Sequence, residues 1–249
     1  MNNYFNYDII SSFYKIEKKF LKTFVNSIKN QYPLIPNHII IVDDKKNISF
    51  YQYLKSQINS KIKIIIIKNF INLGQSFSLN KAIDKTCSKF IFRLDIDDYW
   101  IKGHVQNAKN FFLKNKNYPF YSELSWNLKT YGINYKDYLI LDNPTIHSSW
   151  VVNSKIKKFK YDSKKPGDYS LLSRIIRYNQ VYFSKTFYVK YYDNIRGLSK
   201  TKSANKDIFK IQIENLNFNL KKSVNIFHKL KYYFFFILLL LKNIKQKLL

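Results

Sequence analysis

Three carboxylates in four residues, Asp95-Ile96-Asp97-Asp98, follow the apolar run KFIFRL (89–94). Like charges that close repel one another. A divalent cation relieves the repulsion, and hard oxygen ligands suit Mg2+ or Mn2+; a solvated turn is the competing reading. A second acidic pair, Asp43-Asp44, follows the run HIIIV (38–42), where a solvated loop competes on equal terms. The two clusters take five of 16 acidic residues in a chain of formal charge +27, an unusual use of scarce acid. Asp168 opens the amphipathic stretch GDYSLLSRIIRYN (167–179), where an acid near the positive end of a helix dipole is stabilising in its own right.

The elements that must carry these acids follow from periodicity. Residues 7–13 (YDIISSF) read as a strand, and residues 17–30 place Phe20, Leu21, Phe24, Val25 and Ile28 on one helical face. The runs at 38–42 and 62–67 (IKIIII) are continuously apolar, as strands buried on both faces are. Helices are expected over 49–59, 75–86 and about 103–115, with a strand at 89–94 between the last two. Such alternation with short links predicts an α/β fold, a mostly parallel central sheet with helices on both faces. Ligands of such sheets gather at the carboxyl ends of the strands, where both acidic clusters fall. Residues 118–160 are less regular, with Pro119 and Pro144 as breaks and a strand expected at 148–153. A helix follows at 167–179, with Leu171, Leu172, Ile175 and Ile176 on one side.

Composition narrows the chemistry. A chain of 249 residues, 46% hydrophobic, is long enough for one sizeable domain with its own core. It has five glycines, the first at Gly74, so no Gly-rich phosphate loop can follow an N-terminal strand. That excludes a P-loop and counts against a sugar nucleotidyltransferase. One cysteine, Cys87, excludes an internal disulfide and a multi-cysteine zinc site. The opening MNNYFNYDII has neither a charged n-region nor a long apolar h-region, so a cytosolic chain is expected. Only four of the 43 basic residues are Arg (Arg93, Arg174, Arg177, Arg196); the rest are Lys, and A/T-rich coding accounts for much of that excess. Nucleic-acid readers lean on Arg forks, so no nucleic-acid partner is expected. The positive field favours membrane surfaces and phosphorylated substrates.

After Glu214 there is no acid, and residues 221–249 carry seven Lys around the ten-residue apolar run 232–241 (YYFFFILLLL). As a helix that run is about 15 Å long, half of a hydrocarbon core of about 30 Å. It fits an interfacial segment with basic flanks, or the packing face of a last helix. Membrane-surface attachment is the first expectation, because ten apolar residues in a row cover every side of a helix. The expected division is a domain over 1–204 and a helical, basic and apolar extension over 205–249.

In order, the motifs resemble those of the inverting glycosyltransferases of family 2, which have the GT-A fold. YDIISSFYK is similar to that family's opening strand, and FLKTFVNSIKNQYPLIPNHIIIVDD to its helix, turn and "I-I-V-D-D" strand. Asn72-Leu73-Gly74 with Leu79-Asn80-Lys81-Ala82-Ile83 resembles "N-x-G … L-N-x-A-I", and Phe92 to Asp98 resembles the metal-binding "D-x-D-D". NPTIHSSWVV (143–152) resembles "N-x-x-x-H-x-S", and Gly167 to Leu171 resembles "E-D-Y-x-L". The resemblance runs from about residue 7 to about 200.

The resemblance implies a nucleotide-sugar donor, with Asp43 or Asp44 on its base or ribose. Asp95 with Asp97 or Asp98 would hold ribose and a Mn2+ or Mg2+ ion bridging the diphosphate. Asn80, Arg93 and His147 would lie on the donor side, His147 being equally well a hydrogen-bonded strand histidine. Asp168 would be the base. The expected reaction moves a sugar from a UDP- or dTDP-sugar to a glycan or lipid-linked acceptor. Capsule or lipopolysaccharide assembly at the inner face of the cytoplasmic membrane is the usual bacterial setting. Four departures stand out. Leu79 sits where many members have Arg, with Arg93 as the substitute cation; Gly167 replaces Glu; Lys45-Lys46 replace Gly or Ser; and no Q-x-x-R-W follows Asp168, so one sugar per encounter is expected. The alternative is a non-catalytic, membrane-associated binding protein with a degenerate site. Trp100, Trp126 and Trp150 read as core residues or as stacking platforms for an acceptor sugar.

Overall fold

The apolar runs meet in one seven-stranded sheet. A computed structural model describes residues 5–14, 17–43, 48–124, 140, 143, 145–156, 159–162, 167–190 and 202–248. Strands β1 (Tyr7–Phe13), β2 (His38–Asp43), β3 (Lys63–Lys68) and β4 (Phe90–Arg93) are parallel, with β1 between β2 and β4. The connecting helices are α1 (Lys18–Lys29), α2 (Ile48–Gln57) and α3 (Gln75–Ile83), and α4 (His104–Lys114) follows β4. Between β4 and α4 lies the short β5 (Tyr99–Trp100). β6 (Phe120–Glu123) and β4 both flank the antiparallel β7 (Val151–Asn153), and β8 (Val181–Ser184) runs parallel to β6. The full order is β3-β2-β1-β4-β7-β6-β8, and a separate ribbon pairs β5 with β9 (Val189–Lys190). Three further helices are α5 (Gly167–Tyr178), α6 (Lys202–Lys222) and α7 (Ile226–Leu248).

Continuous rather than alternating apolarity is explained by burial on both faces. Ile9, Ile39, Ile41 and Phe92 pack on one side with Phe24, Val25 and Ile28 of α1. Ile10, Ile40, Val42 and Ile91 pack on the other with Leu79 and Ala82 of α3 and Leu172 and Ile176 of α5. Leu79, at a position where a cation was expected from the family pattern, is fully buried in this second layer.

One element departs from expectation. The strand expected at 148–153 is divided into a 3-10 turn, His147–Ser149, and β7. Ser149 Oγ donates to the Ile146 carbonyl at 2.6 Å, and such local hydroxyl bonds compete with a strand ladder.

The C-terminal helices are bolted on in sequence. Arg177 of α5 donates from Nε (3.1 Å) and Nη2 (2.6 Å) to Asn215 Oδ1 of α6, whose Nδ2 donates to Ser173 Oγ at 3.0 Å. α7 then lays Phe235 and Leu239 against Leu216 of α6. No helix among the described residues is long and apolar enough to cross a membrane.

Candidate active site

The acidic turn leaves β4 at the carboxyl edge of the sheet, beside the point where strand order reverses between β1 and β4, where open α/β sheets bind ligands. Arg93, the last residue of β4, is buried, and its fork closes on Asp95: Nε and Nη2 donate to Oδ1 at 3.1 and 2.9 Å, and Nη2 to Oδ2 at 2.9 Å. Its remaining arm, Nη1, donates to the Tyr161 hydroxyl at 3.0 Å. Burial works to lower the guanidinium pKa, but Asp95 and Tyr161 outweigh it, so Arg93 is held above its ordinary value.

Asp98 turns inward. Ser148 Oγ donates to its Oδ2 at 2.6 Å and accepts from the Asp95 amide at 2.9 Å, while Trp100 Nε1 donates to the Ser148 carbonyl at 2.6 Å. Asp97 points to neither partner. Burial first, and then the charge of Asp95, raise its pKa, against the opposing pull of its own amide and of Arg93. The three carboxylates therefore do not converge on one cage, as their spacing suggested. Asp95 is spent on Arg93 and Asp98 on Ser148, which leaves Asp97 as the carboxylate of the three that neither of those side chains engages. That arrangement fits a divalent ion held by one protein carboxylate with the remaining ligands from substrate phosphates and water, the ordinary habit of Mg2+-type sites.

His147 Nε2 lies 3.0 Å from Asp168 Oδ2, close enough for a charged pair when the imidazole is protonated. Asp168 is half-buried in the first turn of α5. Burial opposes its charged form, but His147, the Tyr169 amide and Arg93 prevail, and the carboxyl is held well below the usual carboxylate range. Tyr161 joins the two sides. Its phenol is raised by burial, with Arg93 opposing, and it senses the charges of both Asp95 and Asp168. Trp150 underlies them: the His147 ring meets its edge at 4.6 Å, and the Tyr161 ring lies parallel to it at 6.4 Å. Trp100 and Trp150 are fully buried, which makes them floor and not stacking platform; Trp126 lies outside the described residues.

Asn80 faces Tyr161: its Nδ2 donates to the Tyr161 carbonyl at 2.9 Å and its Oδ1 accepts from the Tyr161 amide at 2.7 Å. It positions the partner of Arg93. Asp43 ends β2 fully buried, accepting from the Tyr51 hydroxyl, while Asp44 lies outside the described residues. Gly167 also has a local reason. A Cβ there would overlap Ser76 Oγ and sit 3.3 Å from the Asp162 carbonyl, so α5 can approach α3 only with glycine at that position or with Ser76 moved.

The structure adds Tyr161 and Ser148, which the sequence patterns do not single out. The one cue for Ser148 is its place beside His147 in the NPTIHSSWVV stretch; for Tyr161 there is none. Another grouping, Asp8, His38 and Cys87, lies at the opposite, amino-terminal end of the strands. There Asp8 accepts from the Cys87 and Ser88 amides, from Ser88 Oγ and pairs with His38 Nδ1, which makes the group a clasp between β1, β2 and the approach to β4.

Sheet order, antiparallel β7 and an acidic turn at the switch point define a GT-A fold. The model of glycosyl transferase family 2 matches residues 8–177, and the chain belongs to that family. It is 29% identical over 184 residues to a glycosyltransferase of Methanocaldococcus jannaschii, a match taking in 68% of this chain and 63% of that protein. Among solved structures, TarS of S. aureus (residues 1–349, with UDP-GlcNAc) superposes with a TM-score of 0.66 at 15% identity, over 90% of this chain and 69% of TarS. The mannosyltransferase PcManGT of Pyrobaculum calidifontis, with GDP-Man and Mn2+, gives 0.67 at 11% identity, over 92% and 68%. At those identities the likeness establishes the fold.

Proposed function

We propose that this protein is a glycosyltransferase that moves a sugar, with inversion, from a UDP- or dTDP-sugar to a hydroxyl of a glycan or lipid-linked acceptor. The observation that carries the reading is that Asp168, beside His147, lies within electrostatic reach of Arg93 and Tyr161, the two side chains that brace the acidic turn. Asp95 serves the nucleoside side of the donor with Asp44 or, if Tyr51 lets go of it, Asp43, while Arg93 and Asn80 act through Asp95 and Tyr161. Asp97 would hold Mn2+ or Mg2+, with Asp98 fixing the turn; a bound divalent ion supplies charge neutralisation to the departing diphosphate. Asp168 accepts the proton of the acceptor hydroxyl as it attacks the anomeric carbon from the face opposite the leaving group, and a single displacement inverts the centre. His147 holds Asp168 charged and oriented. That two structural neighbours hold nucleotide sugars, one of them with Mn2+, supports the donor class. Surface-glycan assembly, capsule or lipopolysaccharide, at the inner face of the cytoplasmic membrane is the setting that suits such an acceptor. The test is a panel of nucleotide sugars, with and without Mn2+, read by released nucleoside diphosphate. Release from one donor, lost in EDTA, is expected. Donor binding without release under any condition would leave a binding protein in its place.

A further inference from the structure

We infer that the uncovered face of α7 is a docking surface for an anionic lipid bilayer, on which the helix lies flat. α7 has two apolar faces. One is spent inside the molecule, where Phe235 and Leu239 are buried against α6 with Tyr232 and Leu238 half-buried beside them. The other consists of Phe227, Leu230, Phe234, Ile237, Leu241 and Ile244, which are 75%, 59%, 58%, 54%, 58% and 53% exposed. They recur at alternating intervals of three and four residues, so they form one stripe along one side of the helix. The stripe is about 26 Å long at 1.5 Å per residue, and a contiguous exposed apolar surface of that kind marks an interaction site.

Charge selects the partner. Helical position puts Lys231 and Lys242 along one margin of the stripe and Lys229 along the other, all exposed. Lysines so placed keep their ammonium groups among headgroups while their stems and the stripe enter the acyl boundary. The same spacing of three and four would suit the seam of a helix pair between two copies. That seam needs acids to meet its lysines, and the chain has no acid after Glu214. Two copies laid stripe to stripe would set lysines against lysines. A negatively charged surface gains from the same lysines and from the formal charge of +27. The helix attaches along the bilayer and does not cross it, in keeping with its polarity.

The docked helix has a fixed relation to the candidate site. α7 packs on α6, and α6 is clamped to α5 through Asn215, Arg177 and Ser173. The first turn of α5 carries Asp168. A bilayer held by α7 therefore stands at a set distance from the proposed base, which favours an acceptor presented on a lipid; this last step rests on the transfer reading, whereas the docking does not.

The test is sedimentation of the full chain with vesicles of phosphatidylglycerol and phosphatidylcholine, beside vesicles of phosphatidylcholine alone, at low and high salt. Binding to the anionic vesicles, weakened by salt, is expected. Phe234→Ser with Ile237→Ser should cut partition by roughly tenfold or more while the melting temperature holds, since both side chains are exposed. Lys231→Glu with Lys242→Glu should abolish the preference for anionic vesicles. Equal sedimentation of wild type and both variants overturns the inference. So does a lipid-free dimer, seen by light scattering, that the serine variant dissociates. Vesicle binding without any nucleotide-dependent stabilisation would sink the transfer reading and leave the docking intact.

Discussion

Replacing Asp168 by Asn separates the proposed base from its structural neighbours, because the two costs differ in size. The side chain keeps its shape and its place in the first turn of α5 but can no longer accept a proton. The structural loss is the pair with His147, between groups 16% and 34% exposed. A pair that is partly solvated is worth about 1 kcal/mol at most, or about 2–4 °C in Tm for a chain of this size. The chemical loss is that of a general base, about 10²–10⁴-fold in rate, or about 3–5 kcal/mol of barrier. The assay is sugar transfer at saturating acceptor, with donor affinity and Tm measured on the same preparation. Turnover should fall at least about 100-fold while donor affinity and Tm barely move. Turnover within about threefold of wild type would refute the assignment and leave Asp168 as an acid near a helix dipole. The pH dependence adds a second reading. Because the folded carboxyl is held below its ordinary value, the stability it contributes is present above the unfolded pKa and is lost only as pH falls through the lower folded value. The wild-type rate should therefore show no acid limb from Asp168 near neutrality. His147→Gln removes the chief lowering influence, so an acid limb should move up in pH toward the ordinary carboxylate range.

Asp97 has the opposite sign: its pKa is raised in the folded protein, so its ionisation costs stability as pH rises from the unfolded toward the folded value. Asp97→Asn should melt higher than wild type at neutral pH in EDTA, yet lose the further rise that Mn2+ and UDP give the wild type; a variant that melts no higher in EDTA, or keeps that rise, counts against the metal site. Gly167→Ala should destabilise by about 1–3 kcal/mol through overlap with Ser76, and Ser76→Ala in the same chain should restore part of it. Additive losses would mean that the two residues do not meet. Glu123→Gln disturbs a fully buried hydrogen bond with His104 Nδ1 (2.8 Å) and weakens the hold on the Tyr188 and Val189 amides (2.6 and 3.1 Å), for about 1–3 kcal/mol. A Tm equal to that of wild type would show that these bonds hold little.

The parallel half of the sheet was legible because burial on both faces leaves an unbroken apolar run, and strands at 38–43, 63–68 and 90–93 carry that mark. So was the edge where chemistry gathers, since scarce acids sit directly after two of those runs. What spacing cannot convey is direction. Asp95, Asp97 and Asp98 look like one cage in the chain, but the turn sends the first to Arg93 and the last to Ser148. Arg93 read as a cation for the donor, and its fork proves to be closed on Asp95. Tyr161, 68 residues from Arg93, and Ser148, 50 residues from Asp98, lie in stretches without periodicity, where no local signal marks a partner so distant. In the tail, a run apolar on every side was visible, but the α6 face that covers part of it was not. The weak periodicity of residues 202–222, mostly Lys, Asn and scattered Ile, hides that face.

A carboxylate held so far below its ordinary value is a weak proton acceptor, and this constrains the timing of the proposed reaction. His147 favours the charged form of Asp168, at the expense of basicity. A weak base takes little of the proton from a neutral alcohol. Once the new C–O bond has formed, however, the attacking oxygen carries positive charge and becomes a strong acid, and even a depressed carboxylate then accepts its proton readily. Proton transfer should accordingly lag behind bond formation within one transition state dominated by departure of the diphosphate, where the Asp168 charge stabilises the attacking oxygen as it turns positive. Two measurable consequences follow: the rate should respond strongly to substitutions at Asp97, which serves the leaving group, and only weakly to solvent deuterium. A large solvent isotope effect would mean that Asp168 acts early as a strong base, and that its pairing with His147 opens when the acceptor binds.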